Sequence, residues 1–135
     1  MASAAVIAAV EARIATYWAG TYVSPNTGAA PPADGAAFLS IQFPAANADQ
    51  ISVGSPGAQL FREEGGIRFV YAIPRGQGVA HYQGLLETLL GHFRATMFDG
   101  VQTFAPTSPI FDDGNDNGNY WLLSAVVPYT ADTLG

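Results

Sequence analysis

The stretch from Ala58 to Thr96 changes its hydrophobic period partway along, and that change restricts the folds open to the chain. Up to Ile73 the apolar residues alternate, with Ile67, Phe69, Tyr71 and Ile73 on one face, as in a half-buried strand. After Pro74-Arg75-Gly76-Gln77-Gly78 the spacing widens to threes and fours. Tyr82, Leu86, Leu89, Phe93 and Met97 form one stripe, broadened by Leu85 and Leu90, which predicts a helix over about Val79–Met97. Glu64-Gly65-Gly66 reads as the turn of a long β-hairpin with Arg62, Glu63 and Glu64 near its tip, since glycine supplies the positive φ of tight turns. A hairpin followed by an amphipathic helix, with no nucleophile or phosphate loop beside it, points to a scaffold that packs and assembles.

The remaining segments extend this pattern. Ser3 is placed to N-cap a helix running to about Trp18, with Ile7, Val10, Ile14 and Trp18 on its apolar face. Ser24–Ala37 holds three prolines and no hydrophobic period, so a loop is expected. Phe38–Phe43 reads as a strand stopped by Pro44, Gln50–Val53 as a shorter one, and Val101–Phe104 as another. The last strand is expected over Asn119–Tyr129. Trp121, Leu123, Ala125, Val127 and Tyr129 point one way, and Tyr120, Leu122, Ser124 and Val126 the other. With both faces largely apolar, it belongs near the middle of a sheet. The expected fold class is α+β: one domain over residues 1–135, with a mostly antiparallel sheet and two helices packed on one face.

The second helix carries another stripe, of small residues: Ala80, Gly84, Thr88, Gly91 and Ala95. Each interior glycine costs a helix about 1 kcal/mol relative to alanine, so something is expected to approach closely there. The chain's own sheet is the first reading and a neighbouring copy's helix the second. Charged residues make up only 12% of the 135 residues, against 49% hydrophobic. Either neutral small residues cover the surface or other chains do. The net charge is −6 and the five basic residues are all Arg, so no basic stripe is present to hold nucleic acid. With no Cys, disulfides and thiolate chemistry are excluded. The apolar run Ala4–Val10 has no basic residue before it and is broken by Glu11 and Arg13. It is read as the start of a soluble, intracellular helix rather than a signal or membrane span.

Sites for chemistry are sparse. Asp113-Gly114-Asn115-Asp116-Asn117-Gly118 opens like a calcium loop, but Ser124 stands where the bidentate Glu is needed. A polar turn before the last strand is the better reading, with a calcium-binding module kept as an alternative. His81 and His92 are three helical turns apart, roughly 16 Å, too far to share a metal. Glu63 and Glu64 are adjacent on a strand and do not converge. Gly76-Gln77-Gly78 is read as setting the helix's entry angle, since it lacks the longer glycine fingerprint and a phosphate-binding Lys. No catalytic residue, metal site or cofactor is expected.

Three runs resemble a known family. They are Pro31-Pro32-Ala33-Asp34-Gly35 leading through Phe38–Phe43 to Gln50-Ile51-Ser52-Val53-Gly54; the strand from Gly66 closing in Ile73-Pro74-Arg75-Gly76-Gln77-Gly78; and Asn117-Gly118-Asn119-Tyr120-Trp121 with Val126-Val127-Pro128-Tyr129. Together they are similar to the tail-terminator (tail-completion) proteins of long-tailed bacteriophages and related gene-transfer agents, over about residues 5–132. The resemblance implies a structural virion protein, assembled in the host cytoplasm and placed at the head-proximal end of the tail. It implies a homohexameric ring that ends tube polymerisation, with the tail tube protein and a head-completion or connector protein as partners. DNA would pass through the pore without specific binding, and no membrane is involved. Arg62, Glu63, Glu64, Arg68 and Arg75 are the expected contacts between copies. Asp112, Asp113, Asn115, Asp116 and Asn117, or the Ser24–Ala37 loop, are expected to face tube or head. Another head–tail connector or minor tail protein is the alternative.

Overall fold

The computed structural model describes residues 3–23, 36–44, 46–51, 59–74, 78–117 and 120–134. Its elements are α1 (Ala4–Tyr17), β1 (Thr21–Val23), β2 (Phe38–Gln42), β3 (Ala46–Gln50), β4 (Leu60–Pro74), α2 (Ala80–Gly91), β5 (Met97–Phe98), β6 (Val101–Thr103), β7 (Ile110–Asn117) and β8 (Tyr120–Leu134). The strands form one sheet in the order β1-β2-β4-β8-β6-β5, with β3 also on β4 and β7 also on β8. Among the described strands only the β1–β2 pair is parallel. The expected α+β class, with a mostly antiparallel sheet and two helices, is what the chain adopts.

The expected hairpin at Glu64-Gly65-Gly66 is absent. Leu60–Pro74 is a single 15-residue strand. It pairs with β8 in unbroken register from Leu60↔Leu134 to Pro74↔Tyr120, a ribbon roughly 50 Å long. Gly66 faces Pro128 at its middle, where the flanking strands change. On the β4 side β3 covers Phe61–Gly65 and β2 covers Arg68–Ala72. On the β8 side β7 pairs with Tyr120 and Leu122–Ser124, and β6 with Tyr129–Ala131. Across the second gap Phe104 N–H donates to Pro128 C=O at 3.0 Å and Thr107 N–H to Val126 C=O at 2.9 Å. In an antiparallel strand the N–H and C=O of one residue point the same way. Pro128's missing N–H therefore falls toward this gap, and no bond to β4 is lost. Gly66 permits close approach: a Cβ there would lie 3.0 Å from Val126 Cγ1. Only Gly78 and Gly100 among the described glycines have positive φ. The tight turn lies elsewhere, at Asp99-Gly100, where φ of 46° and 83° joins β5 to β6 in the two-residue geometry that Asp-Gly favours.

Other boundaries shift as well. The short strand expected at Gln50–Val53 is β3, at Ala46–Gln50, and residues 52 to 58 lie outside the described set. β1, which had no sequence signal, pairs with β2. The second helix ends at Gly91 with His92 as its C-cap, short of Met97. Met97 belongs to β5 and is 66% exposed, so it is no part of the core stripe. Most of the Ser24–Ala37 loop, residues 24 to 35, is outside the described set.

The core lies between the helices and one sheet face. Val6, Val10 and Ile14 of α1 and Leu86, Leu89 and Leu90 of α2 join Phe93 against Leu39, Ile41, Ile67, Phe69, Tyr71, Ile73, Leu123, Val127 and Tyr129. The last four odd-numbered β4 positions and the β8 positions named in the sequence thus face the helices. Phe69 meets Phe93 edge-on at 5.0 Å, and Tyr71 meets Trp18 at 5.1 Å. Among the described residues no helix is long and apolar enough to cross a membrane.

Candidate assembly surfaces

Because β4 is continuous, its charges sit within the sheet instead of at a hairpin tip, and strand alternation sends them to opposite faces. Glu63 lies on the helix side. It stands between Ala48 and Ala131, whose small side chains leave it room. Its carboxylate accepts the Ser3 backbone N–H through both oxygens, at 3.3 Å each, and the Tyr129 hydroxyl through Oε2. Ser3 is the N-cap residue of α1, as expected, but makes no side-chain cap bond. Glu63 supplies the anion that the positive end of the helix favours. The buried Tyr129 hydroxyl has its pKa pushed up, first by burial and then by its bond to Glu63. Burial also raises that of Tyr71, with Tyr82 adding to it.

Arg62, Glu64 and Arg68 occupy the opposite sheet face. Arg62 grips Asp132 of the same chain in a two-pronged pair, Nε–Oδ1 at 2.8 Å and Nη2–Oδ2 at 3.0 Å. The hydrogen bond is the main cause that raises the Arg62 pKa and lowers that of Asp132. The side chains are 41% and 39% exposed, so the pair is solvent-screened and contributes little to stability. Glu64 pairs in register with Asn47 and Thr130, and Arg68 with Gln42 and Val126. Both are exposed. Arg75 lies outside the described residues.

Asp112, Asp113, Asn115, Asp116 and Asn117, expected in a loop, belong to β7. Pairing with β8 overrides the poor strand propensity of this run, at the cost of a register shift between Asp112 and Asn117. The connection at residues 118 and 119 is outside the described set, as are the side chains of residues 112 to 120. Among the described residues no three His, Asp or Glu side chains gather as a metal site.

A further cluster had no sequence signal. Arg13 on α1 donates from Nε to the His92 carbonyl at 2.8 Å, capping the C-terminal end of α2. Its guanidinium lies 4.8 Å from the Phe98 ring centre, 5.0 Å from Tyr17 and 5.8 Å from Phe93. Tyr17 in turn stacks on His92 at 3.9 Å. One cation thus ties both helices to β5, and its counter-charge is the dipole of α2. His92 is half-buried in this cluster and His81 is exposed. Arginine at an otherwise apolar helix position was the one available hint.

The outer surface of the helix layer is nearly free of charge. On α1 the exposed residues are Ala4, Ala5, Ala8, Ala12, Ala15, Thr16 and Tyr17. On α2 the small stripe Ala80, Gly84, Thr88 and Gly91 is exposed, beside Leu85, and Glu87 is the one exposed carboxylate. A Cβ built on Gly84 or Gly91 meets nothing within 4 Å. The chain's own sheet therefore does not explain these glycines, and the first reading of the stripe is overturned.

Together these features define a two-layer α+β packing scaffold with a charge-poor helical exterior. The family model of the phage tail terminator protein matches residues 5–129, and the chain belongs to that family, one of structural virion proteins. Curated proteins give no match.

Proposed function

We propose that copies of this chain close into a ring, six-membered as the family resemblance implies, that caps the finished tail tube at its head-proximal end. The ring ends tube polymerisation and offers the surface for head joining. Beside the family match, the observation that carries this reading is the charge-poor, glycine-notched exterior of the helix layer, where Glu87 is the one exposed carboxylate. A surface helix normally carries its polar residues outward, and here alanine, glycine and threonine take most of those places, with His81 and Glu87 the exceptions on α2. A neighbouring copy packed against α1 and α2 would gain close approach at Gly84 and Gly91, with Glu87 the one carboxylate it has to accommodate on that face. Such a contact joins different patches of two copies, the head-to-tail kind that closes into a ring.

Glu64 and Arg68 on the opposite sheet face, with Arg75, are the proposed charged contacts between copies; Arg62 joins them by exchanging Asp132 for a neighbour's acid. Glu63, already engaged by Ser3 and Tyr129, is withdrawn from that set. The β7–β8 end with Asp112, Asp113, Asn115, Asp116 and Asn117, or the Ser24–Ala37 segment, is proposed to meet the tube protein or the head connector. A chain of net charge −6 without Lys lets DNA pass through the pore unheld.

Native mass spectrometry of the purified chain, alone and with assembled tubes, tests the reading. Ala12→Glu is expected to keep the monomer's circular dichroism and abolish the ring. Gly84→Ala is expected to stabilise the isolated monomer by about 0.5–1 kcal/mol and to weaken assembly. Monomers under all conditions, with and without tubes, would sink the proposal. An intact ring in an Arg62→Glu/Arg68→Glu double variant would remove the charged contacts but leave the helical one.

A further inference from the structure

We draw no further inference here: the strongest candidate, the recess of about 270 Å³ between the start of α1 and the β3–β4–β8 end of the sheet, is a mostly apolar hollow whose Glu63 carboxylate is already held by Ser3 and Tyr129, and nothing in the structure shows what fills it.

Discussion

Tyr129 carries more than its share of the fold. Its ring is 1% exposed and meets Phe43 edge-on at 6.5 Å, while its hydroxyl holds Glu63 against the start of α1. Removing the hydroxyl in Tyr129→Phe is expected to cost about 1.5 kcal/mol, the scale for a hydrogen bond to a charged group. The same residue sets a sign for alkaline behaviour. In the folded chain its pKa stands above the ordinary value of 10.0. Above pH 10 the unfolded chain therefore loses a proton that the folded chain keeps. Stability is full below pH 10 and falls as pH rises toward the folded value. Urea unfolding between pH 8 and 11 should show this decline, and Tyr129→Phe should flatten it, with Tyr71 supplying the remainder. An unchanged slope would show that Tyr129 ionises freely. Ala95 offers a gain in the opposite direction. Its φ of 44° is left-handed, a region costly for a residue with Cβ. Ala95→Gly is expected to raise the urea midpoint, by about 0.5–1 kcal/mol in stability, with no change in the denaturant slope.

At the scale of elements, the ribbon of β4 and β8 teaches most about reading this sequence. The alternation of Ile67, Phe69, Tyr71 and Ile73 and that of Leu123 to Tyr129 were legible, because a half-buried strand imposes its period directly. Leu39, Ile41 and Phe43 were legible for the same reason, and so was the Leu86–Leu89 stripe of α2, which Phe93 continues just past the end of the helix. Gly65-Gly66 was not. A glycine pair between two alternating runs is equally compatible with a turn and with a close crossing inside one strand. The odd-numbered phase runs unbroken from Phe61 to Ile73, and only the partner strand decides between the two. β1 and the Arg13 cluster were invisible because both depend on contacts distant in sequence. The charged pairs of β4 were visible as charges, yet their faces changed once the turn disappeared. Gly66→Ala tests the close-approach account. Replacing a strand glycine gains about 0.5–1 kcal/mol, whereas forcing a Cβ against Val126 costs about 1–3 kcal/mol. A net loss of roughly 1 kcal/mol in thermal unfolding is expected, and a stabilised variant would contradict the tight contact.

For the whole molecule, the scarcity of charge and the helix layer belong together. Composition announced that some surface lacked charge, and the fold places that surface on α1 and α2 and not on the β4 face where the Arg residues suggested contacts. The central ribbon also governs how a copy comes into being. Its ladder joins residues from Leu60↔Leu134 at one end to Pro74↔Tyr120 at the other, so every rung must close a loop containing α2 and β5 to β7. Local pieces, α2 and the Asp99-Gly100 hairpin, can form in microseconds, but the ribbon waits on loop closure, and refolding in milliseconds to seconds is expected. Stopped-flow refolding followed by tryptophan fluorescence checks this, since Trp121 lies on β8. A submillisecond return of the full signal would mean that the ribbon is not the slow step. If the slow phase holds, each new copy reaches competence only when the last strand has docked, so a growing particle receives subunits that are either complete or inert.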